Sequence, residues 1–155
     1  MKIIRLGDCY FDVHAPAQCA RVSPTALKLF FSLMKDWAVG DQEARTLMGR
    51  LTSEEFERMR AAPCSQILDP TKLKRIAGLL SVRRELNQLY GVNVGNEWVR
   101  LPNGHPMFCH VLPITYLVIG GVQATTSVVR LLVRQRRASY EPDSVSLGQR
   151  AAPSD

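Results

Sequence analysis

The 155-residue chain lacks the cysteine pattern of a stapled or zinc-bound fold. Its four cysteines, Cys9, Cys19, Cys64 and Cys109, form no CxxC pair and keep no regular spacing. A disulfide framework or a structural zinc site needs closer ligand pairs, so free thiols packed as small apolar groups in a reducing compartment are expected. Long apolar runs are missing too. The longest, Val111 to Ile119, is broken by Pro113 and falls well short of the roughly 20 residues that span a bilayer, which predicts a protein without a membrane span. At the start of the chain, Asp8 and Asp12 interrupt "MKIIRLGDCYFDVHAP", where a signal peptide needs an unbroken apolar core. A cytoplasmic location is expected. Catalytic signatures are also lacking: Cys109 stands beside His110 and near His105, but adjacent side chains rarely face each other usefully, and no third orienting group is evident. The run "HPMFCH" offers at most three metal ligands in a segment constrained by Pro106. The chain reads as a non-enzyme, with no catalytic residues, no metal and no cofactor.

Acidic residues are the scarcer charge, 14 against 20 Lys and Arg, which leaves a formal net charge of +6. A basic chain of this size is attracted to nucleic acid, to acidic partners or to anionic lipid, and charge alone does not choose among them. Apolar residues are not scarce: at 46% hydrophobic and 22% charged, the composition suffices for one ordinary domain, or two very small ones sharing a core.

Residues 1–22 carry the short alternations "KIIRL" and "CYFDV" before Pro16, which predict a small strand or an irregular arm. Ser23 can cap a helix with Pro24 in its first turn, and Leu27, Phe30, Phe31, Met34 and Trp37 follow at helical spacing. Asp41 can cap "QEARTLM", whose Ala44, Leu47 and Met48 face inward, and Gly49 ends it. Thr52 and Glu55 have the spacing of a capping box before a helix with Phe56 and Met59 inward. Two short helices joined by "GRLT" have helix-turn-helix dimensions, with Ser53 to Arg60 as the element that would enter the major groove. The three glutamates of "SEEFERMR" would face phosphate repulsion, so a plain helical hairpin fits equally well. Asp69 and Pro70 form a second cap and N1 proline. The helix they open runs to Gly91, with Leu73, Ile76, Ala77, Leu80, Leu86, Leu89 and Tyr90 as its apolar stripe and Lys72, Lys74, Arg75, Arg83 and Arg84 on other faces. Farther on, "VLPITYLVI" and "VQATTSVVRLLV" favour strands by propensity. Against that, Val122, Thr126, Val129 and Val133 share a helical stripe, and Arg130, Arg134, Arg136 and Arg137 cluster where cations suit a helix C-terminus. Helix and strand both stay open at this point. After Ser139 the polar, proline-containing tail predicts no fixed structure when free.

In this order the segments resemble the Xre/MbcA/ParS family of bacterial antitoxins, which are encoded beside a toxin carrying an RES domain. The resemblance covers roughly residues 24 to 137. "FFSLMKDWAVGDQEARTLMG" is similar to the family's helix ending in tryptophan and the next helix with its Leu-Leu-Gly type triplet; "LDPTKLKRIAGLLSVRRELNQLYG" is similar to its long helix, through Asp69, Leu73, Arg75, Ile76, Leu80 and Leu86. "WVRLPNGHPMF" resembles the signature opening the toxin-binding domain, through Trp98, Pro102, Asn103 and Phe108, followed by Pro113, Leu117 and Gly120. Where the family commonly has two glycines after the phenylalanine, this chain has Cys109 and His110, a departure that bears on the local turn.

The resemblance implies helices over 113–119 and 122–137 and an all-α protein: an N-terminal arm (1–22), a helix-turn-helix DNA-binding region (23–66), a small helical toxin-binding domain (67–138) and a flexible tail (139–155). It implies an antitoxin that covers the active site of an NAD-consuming RES-domain toxin and represses its own operon, as a homodimer on operator DNA. The DNA-binding candidates are Arg50, Thr52, Ser53, Arg58 and Arg60; the toxin-binding candidates are Trp98, Asn103, Phe108, Tyr116, Arg130, Arg134, Arg136 and Arg137. Trp98 and Phe108 also fit core residues of the domain that presents the interface. The tail, with Glu141 and Asp143, would complement an electropositive NAD pocket while the four arginines pair with acidic groups on its rim. The alternative is a stand-alone helix-turn-helix regulator without a toxin.

Overall fold

The computed structural model describes residues 1–140, so the tail from residue 141, with Glu141 and Asp143, lies outside the described residues. The fold is mainly helical, as expected, but it begins with a hairpin. Strands β1 (Ile3–Leu6) and β2 (Cys9–Asp12) pair antiparallel, with Ile3 opposite Asp12 and Leu6 opposite Cys9. Gly7 takes a positive φ of 59° in the two-residue turn, the conformation a tight hairpin needs and glycine tolerates. Leu6 and Phe11 are fully buried, which fixes the hairpin to the helices beneath it.

Helix α1 spans Pro16–Asp36, with Pro16 in its first turn, and this corrects the expected start at Ser23. Pro24 lies inside the helix, where it removes one backbone hydrogen bond. The helix continues because Cys19, Val22, Ala26 and Leu27 on either side are buried. Ser23 is not a cap. Its buried hydroxyl donates to the Cys19 carbonyl at 2.7 Å and accepts the Leu68 amide at 2.9 Å, tying α1 to a segment far along the chain. Helix α2 (Asp41–Leu47) is capped by Gly40 rather than Asp41, which is its first helical residue. Helix α3 (Ser53–Ala61) has the expected capping box: Thr52 Oγ1 accepts the Glu55 amide at 3.2 Å, and Glu55 Oε2 accepts the Thr52 amide at 3.0 Å.

Helix α4 (Pro70–Tyr90) starts where Asp69 accepts the Lys72 amide at 2.9 Å and stops at Gly91, whose φ is 80°. It is the central helix, in contact with β1, α1, α5 (Val92–Trp98) and α6 (Pro113–Tyr140). Leu79 and Val82 are therefore buried as well as the predicted stripe. Leu89 is half-buried, and Tyr90, expected inward, is exposed, with its hydroxyl 3.4 Å from Gln135 Oε1 of α6.

Helix α6 is helical where β-branched content favours strands, and it breaks at Gly121 (φ 60°, ψ −141°). Its second half buries Ala124, Thr125, Val128, Leu131 and Leu132 against α4, while Val122 and Thr126 of the expected stripe are exposed. The break turns the second half of the helix to a neighbouring face, which spacing alone does not reveal. By length and composition α6 could cross a membrane, with a mean hydropathy of 1.5 over its most apolar window. Here its inner face belongs to the same core as the rest. That core is one cluster reaching from Leu6 in the hairpin to Leu132 in α6.

Candidate functional site

The first candidate surface is the pair α2 and α3, joined by residues 48–52. Gly49 (φ 112°) and Arg50 (φ 61°) both take positive φ in this link, which turns the chain sharply enough to bring α3 beside α1. Phe56 is buried and meets Phe31 edge to face at 5.5 Å. Arg60 lies over the Phe56 ring at 4.6 Å and pairs with Asp41 at 2.6 Å and Glu57 at 3.2 Å. Three of the DNA-binding candidates are thus engaged within the fold: Thr52 in the capping box, Ser53 through its hydroxyl, which accepts from Arg45 Nη1 at 3.4 Å, and Arg60 in a clamp between α2 and α3. The hydrogen bond from Arg60 holds the Asp41 carboxyl below its ordinary value of 3.8, against the opposing effect of desolvation. Ser53, Arg50 and Arg58 are exposed, and so are Glu54, Glu55 and Glu57 on the same helix.

The second candidate surface is built on the Trp98 to Gly121 segment. Trp98 ends α5, and the chain then turns through Asn103, whose Oδ1 accepts the His105 amide at 2.9 Å, while His105 Nδ1 accepts the Met107 amide at 3.1 Å. This succession of side-chain caps delivers Phe108 into the core. Phe108 is fully buried, with Trp98 at 5.8 Å and Tyr116 at 5.4 Å, both edge to face. Trp98 is 9% exposed. Both residues are core, and only the half-buried Tyr116 offers an aromatic face near the surface. Directly after Phe108 the backbone takes two consecutive positive φ values, 50° at Cys109 and 67° at His110. Both residues thus adopt the left-handed backbone that glycine tolerates most readily. Cys109 Sγ donates to the Pro106 carbonyl at 3.6 Å.

No family model, no curated protein and no solved structure matches the chain.

The C-terminal arginines separate into two groups. Arg136 is engaged: its Nε donates to Glu85 Oε2 at 3.0 Å, and Glu85 is a buried carboxylate of α4. Arg130, Arg134 and Arg137 are exposed and make no ion pair among the described residues. Two further arginines have roles that the sequence does not announce. Arg100 Nε donates to the Trp37 carbonyl at 2.6 Å and its Nη2 to Ala38, which anchors the signature segment on the end of α1. Its one signal is its place two residues after Trp98, in a motif that stands out for its aromatics. Arg75, expected on a solvated basic side, lies between two glycines: Cβ atoms added at Gly49 and Gly121 would stand 3.6 Å and 3.3 Å from its guanidine group. Both glycines have positive φ. A single side chain thereby spans the α2–α3 link and the α6 break. The four thiols are free, with Cys19 buried and the others exposed. Among the described residues, no three His, Cys, Asp or Glu side chains come together as a metal site.

Proposed function

We propose that this protein is an antitoxin of the Xre/MbcA/ParS type, which docks on a co-encoded RES-domain toxin and covers its NAD-consuming active site. The observation that carries the reading is the segment after Trp98. It combines the tryptophan and phenylalanine of the family signature, packed ring to ring, with a left-handed backbone at Cys109 and His110, the two positions where that family commonly has glycine. Such a turn sets the direction of α6, whose exposed Arg130, Arg134 and Arg137 offer charge to a partner. Arginine and aromatic contacts at an interface centre supply much of its binding energy. The protein acts in the cytoplasm, where its partner is made.

Within this reading, α2 and α3 form a helix-turn-helix that represses the operon as a homodimer, since paired half-sites add the base contacts one unit lacks. Its exposed DNA-facing groups are Arg50, Ser53 and Arg58. The three exposed glutamates of α3 weigh against tight phosphate contact, so this role depends on Arg50 and Arg58 more than on the helix as a whole. Co-expression with the RES-domain toxin encoded beside it tests the antitoxin role. The full chain restores growth that the toxin alone arrests, and the triple substitution R130E/R134E/R137E loses that protection while keeping the fold. Growth arrest unaffected by the wild-type chain sinks the reading. Loss of a promoter shift in a low-salt gel assay, with protection intact, removes only the repressor half.

A further inference from the structure

Between α4 and the second half of α6 runs a cleft of about 380 Å³ bordered by Lys74, Arg75 and Arg130 and by no acidic residue. None of these three cations makes an ion pair among the described residues, although six ion pairs form elsewhere. Arg75 Nε is buried and has no hydrogen-bond partner. The remaining lining is apolar in effect. Ser81, Thr125 and Thr126 donate their hydroxyls to carbonyls of their own helices at 3.0, 3.1 and 3.0 Å, which leaves their carbon atoms, with Val122 and Val129, to face a ligand. Gly78 lets the helices approach closely at the cleft's base: a Cβ there would meet Thr125 Cγ2 at 2.8 Å. Past Val122 the cleft adjoins a mostly polar hollow lined by Thr46, Arg50, Gln123 and again Arg75, with Ile119, 74% exposed, at its edge.

An apolar floor under unpaired cations is complementary to an apolar side chain flanked by carboxylates. We infer that this cleft docks an acidic, amphipathic peptide segment of a partner protein, with an aliphatic or aromatic side chain over Val122 and Val129 and its carboxylates on Lys74, Arg75 and Arg130. The inference rests on the reading that the chain works by docking on another protein, and it adds where and by what chemistry. Nucleic acid fits less well, because phosphates would satisfy the cations and leave Ile119, Val122 and Val129 wet. Burying that apolar surface is the part of the free energy only a peptide supplies, and the surrounding charges select an acidic partner over a basic one.

Random-peptide phage display against the full chain tests the chemistry whatever the partner is. Selected peptides carry a Leu, Ile, Phe or Trp with Asp or Glu within one helical turn of it. Their affinity, read by fluorescence anisotropy, falls roughly tenfold or more in K74E/R130E, through loss of charge-assisted contacts and new repulsion, and Val122→Ser weakens them too. Circular dichroism verifies that both variants fold. Failure to enrich any such peptide, or equal affinity for K74E/R130E, overturns the proposal. Duplex DNA that binds through Lys74 and Arg130 and displaces the peptides overturns it in favour of nucleic acid. The toxin assay separates the two levels: a wild-type chain that fails to neutralise the toxin, yet selects these peptides, sinks the partner assignment and leaves the cleft. Neutralisation by K74E/R130E as efficient as by wild type removes the cleft and leaves the antitoxin reading.

Discussion

Truncating Phe108 to alanine tests whether the signature aromatics act as core or as interface. Phe108 is fully buried, and its ring stands 5.8 Å from Trp98, 5.4 Å from Tyr116 and 6.3 Å from His105. Removing a buried phenylalanine ring costs about 3–5 kcal/mol through lost transfer energy and the cavity left behind. Collapse of that cavity is opposed here, because the Ile114 amide is held by the Val99 carbonyl at 2.9 Å and Trp98 ends a helix of its own. The expected loss is therefore in the upper half of that range, a large share of the roughly 5–15 kcal/mol that holds a domain together. Phe108→Leu keeps most of the volume and gives up the edge-to-face contacts, for about 1–1.5 kcal/mol. Urea denaturation followed by tryptophan fluorescence measures both, and Trp98 reports from beside the lesion. A loss below about 1 kcal/mol for the alanine variant, the size of an ordinary substitution, would refute the core assignment and return Phe108 to the surface as an anchor.

Three further outcomes follow from the same geometry. Cys109→Gly and His110→Gly each stabilise the protein by about 0.5–1 kcal/mol, since relief of a left-handed side-chain clash exceeds glycine's entropy cost; an unchanged or lower Tm in calorimetry contradicts the strain. Arg136→Ala costs about 1–2 kcal/mol by leaving the buried Glu85 carboxylate without its partner, discounted for the exposure of Arg136, whereas Arg134→Ala leaves stability unchanged in the same denaturation assay. The Asp41 carboxyl, held below 3.8 by the Arg60 hydrogen bond, favours the folded state above that pH, and the contribution fades as pH falls through the depressed folded value. In an NMR titration its midpoint therefore returns toward 3.8 in Arg60→Ala, and an identical midpoint in both proteins would show that the ion pair does not persist in solution.

Sequence signals are reliable in this chain where the chemistry is local. The Thr52–Glu55 capping box and the Asp69–Pro70 start need only neighbouring residues, and both form as spacing predicts. The α1 start is not legible in the same way: Ser23–Pro24 has the local chemistry of a first turn, but the helix starts at Pro16, held by burial of Cys19 and Val22. The inward face of α6 departs from its stripe for a similar reason: it is set by Gly121, whose backbone angles no periodicity conveys. Arg75, Arg100 and the buried Glu85 take their roles from contacts across the chain. The exposed candidates Arg130, Arg134 and Arg137 are legible because a run of cations at a helix end has few other places to go. Arg60 fits the same pattern, yet it closes on Asp41 and two aromatic rings.

NAD consumption by the purified RES-domain toxin, titrated with the full chain, bears most directly on the proposed role. The account predicts that turnover falls to background when the two proteins are equimolar, with both eluting as one complex in gel filtration. It also predicts that R130E/R134E/R137E, folded by circular dichroism, leaves turnover running. Full NAD turnover in a large excess of the wild-type chain would contradict the account.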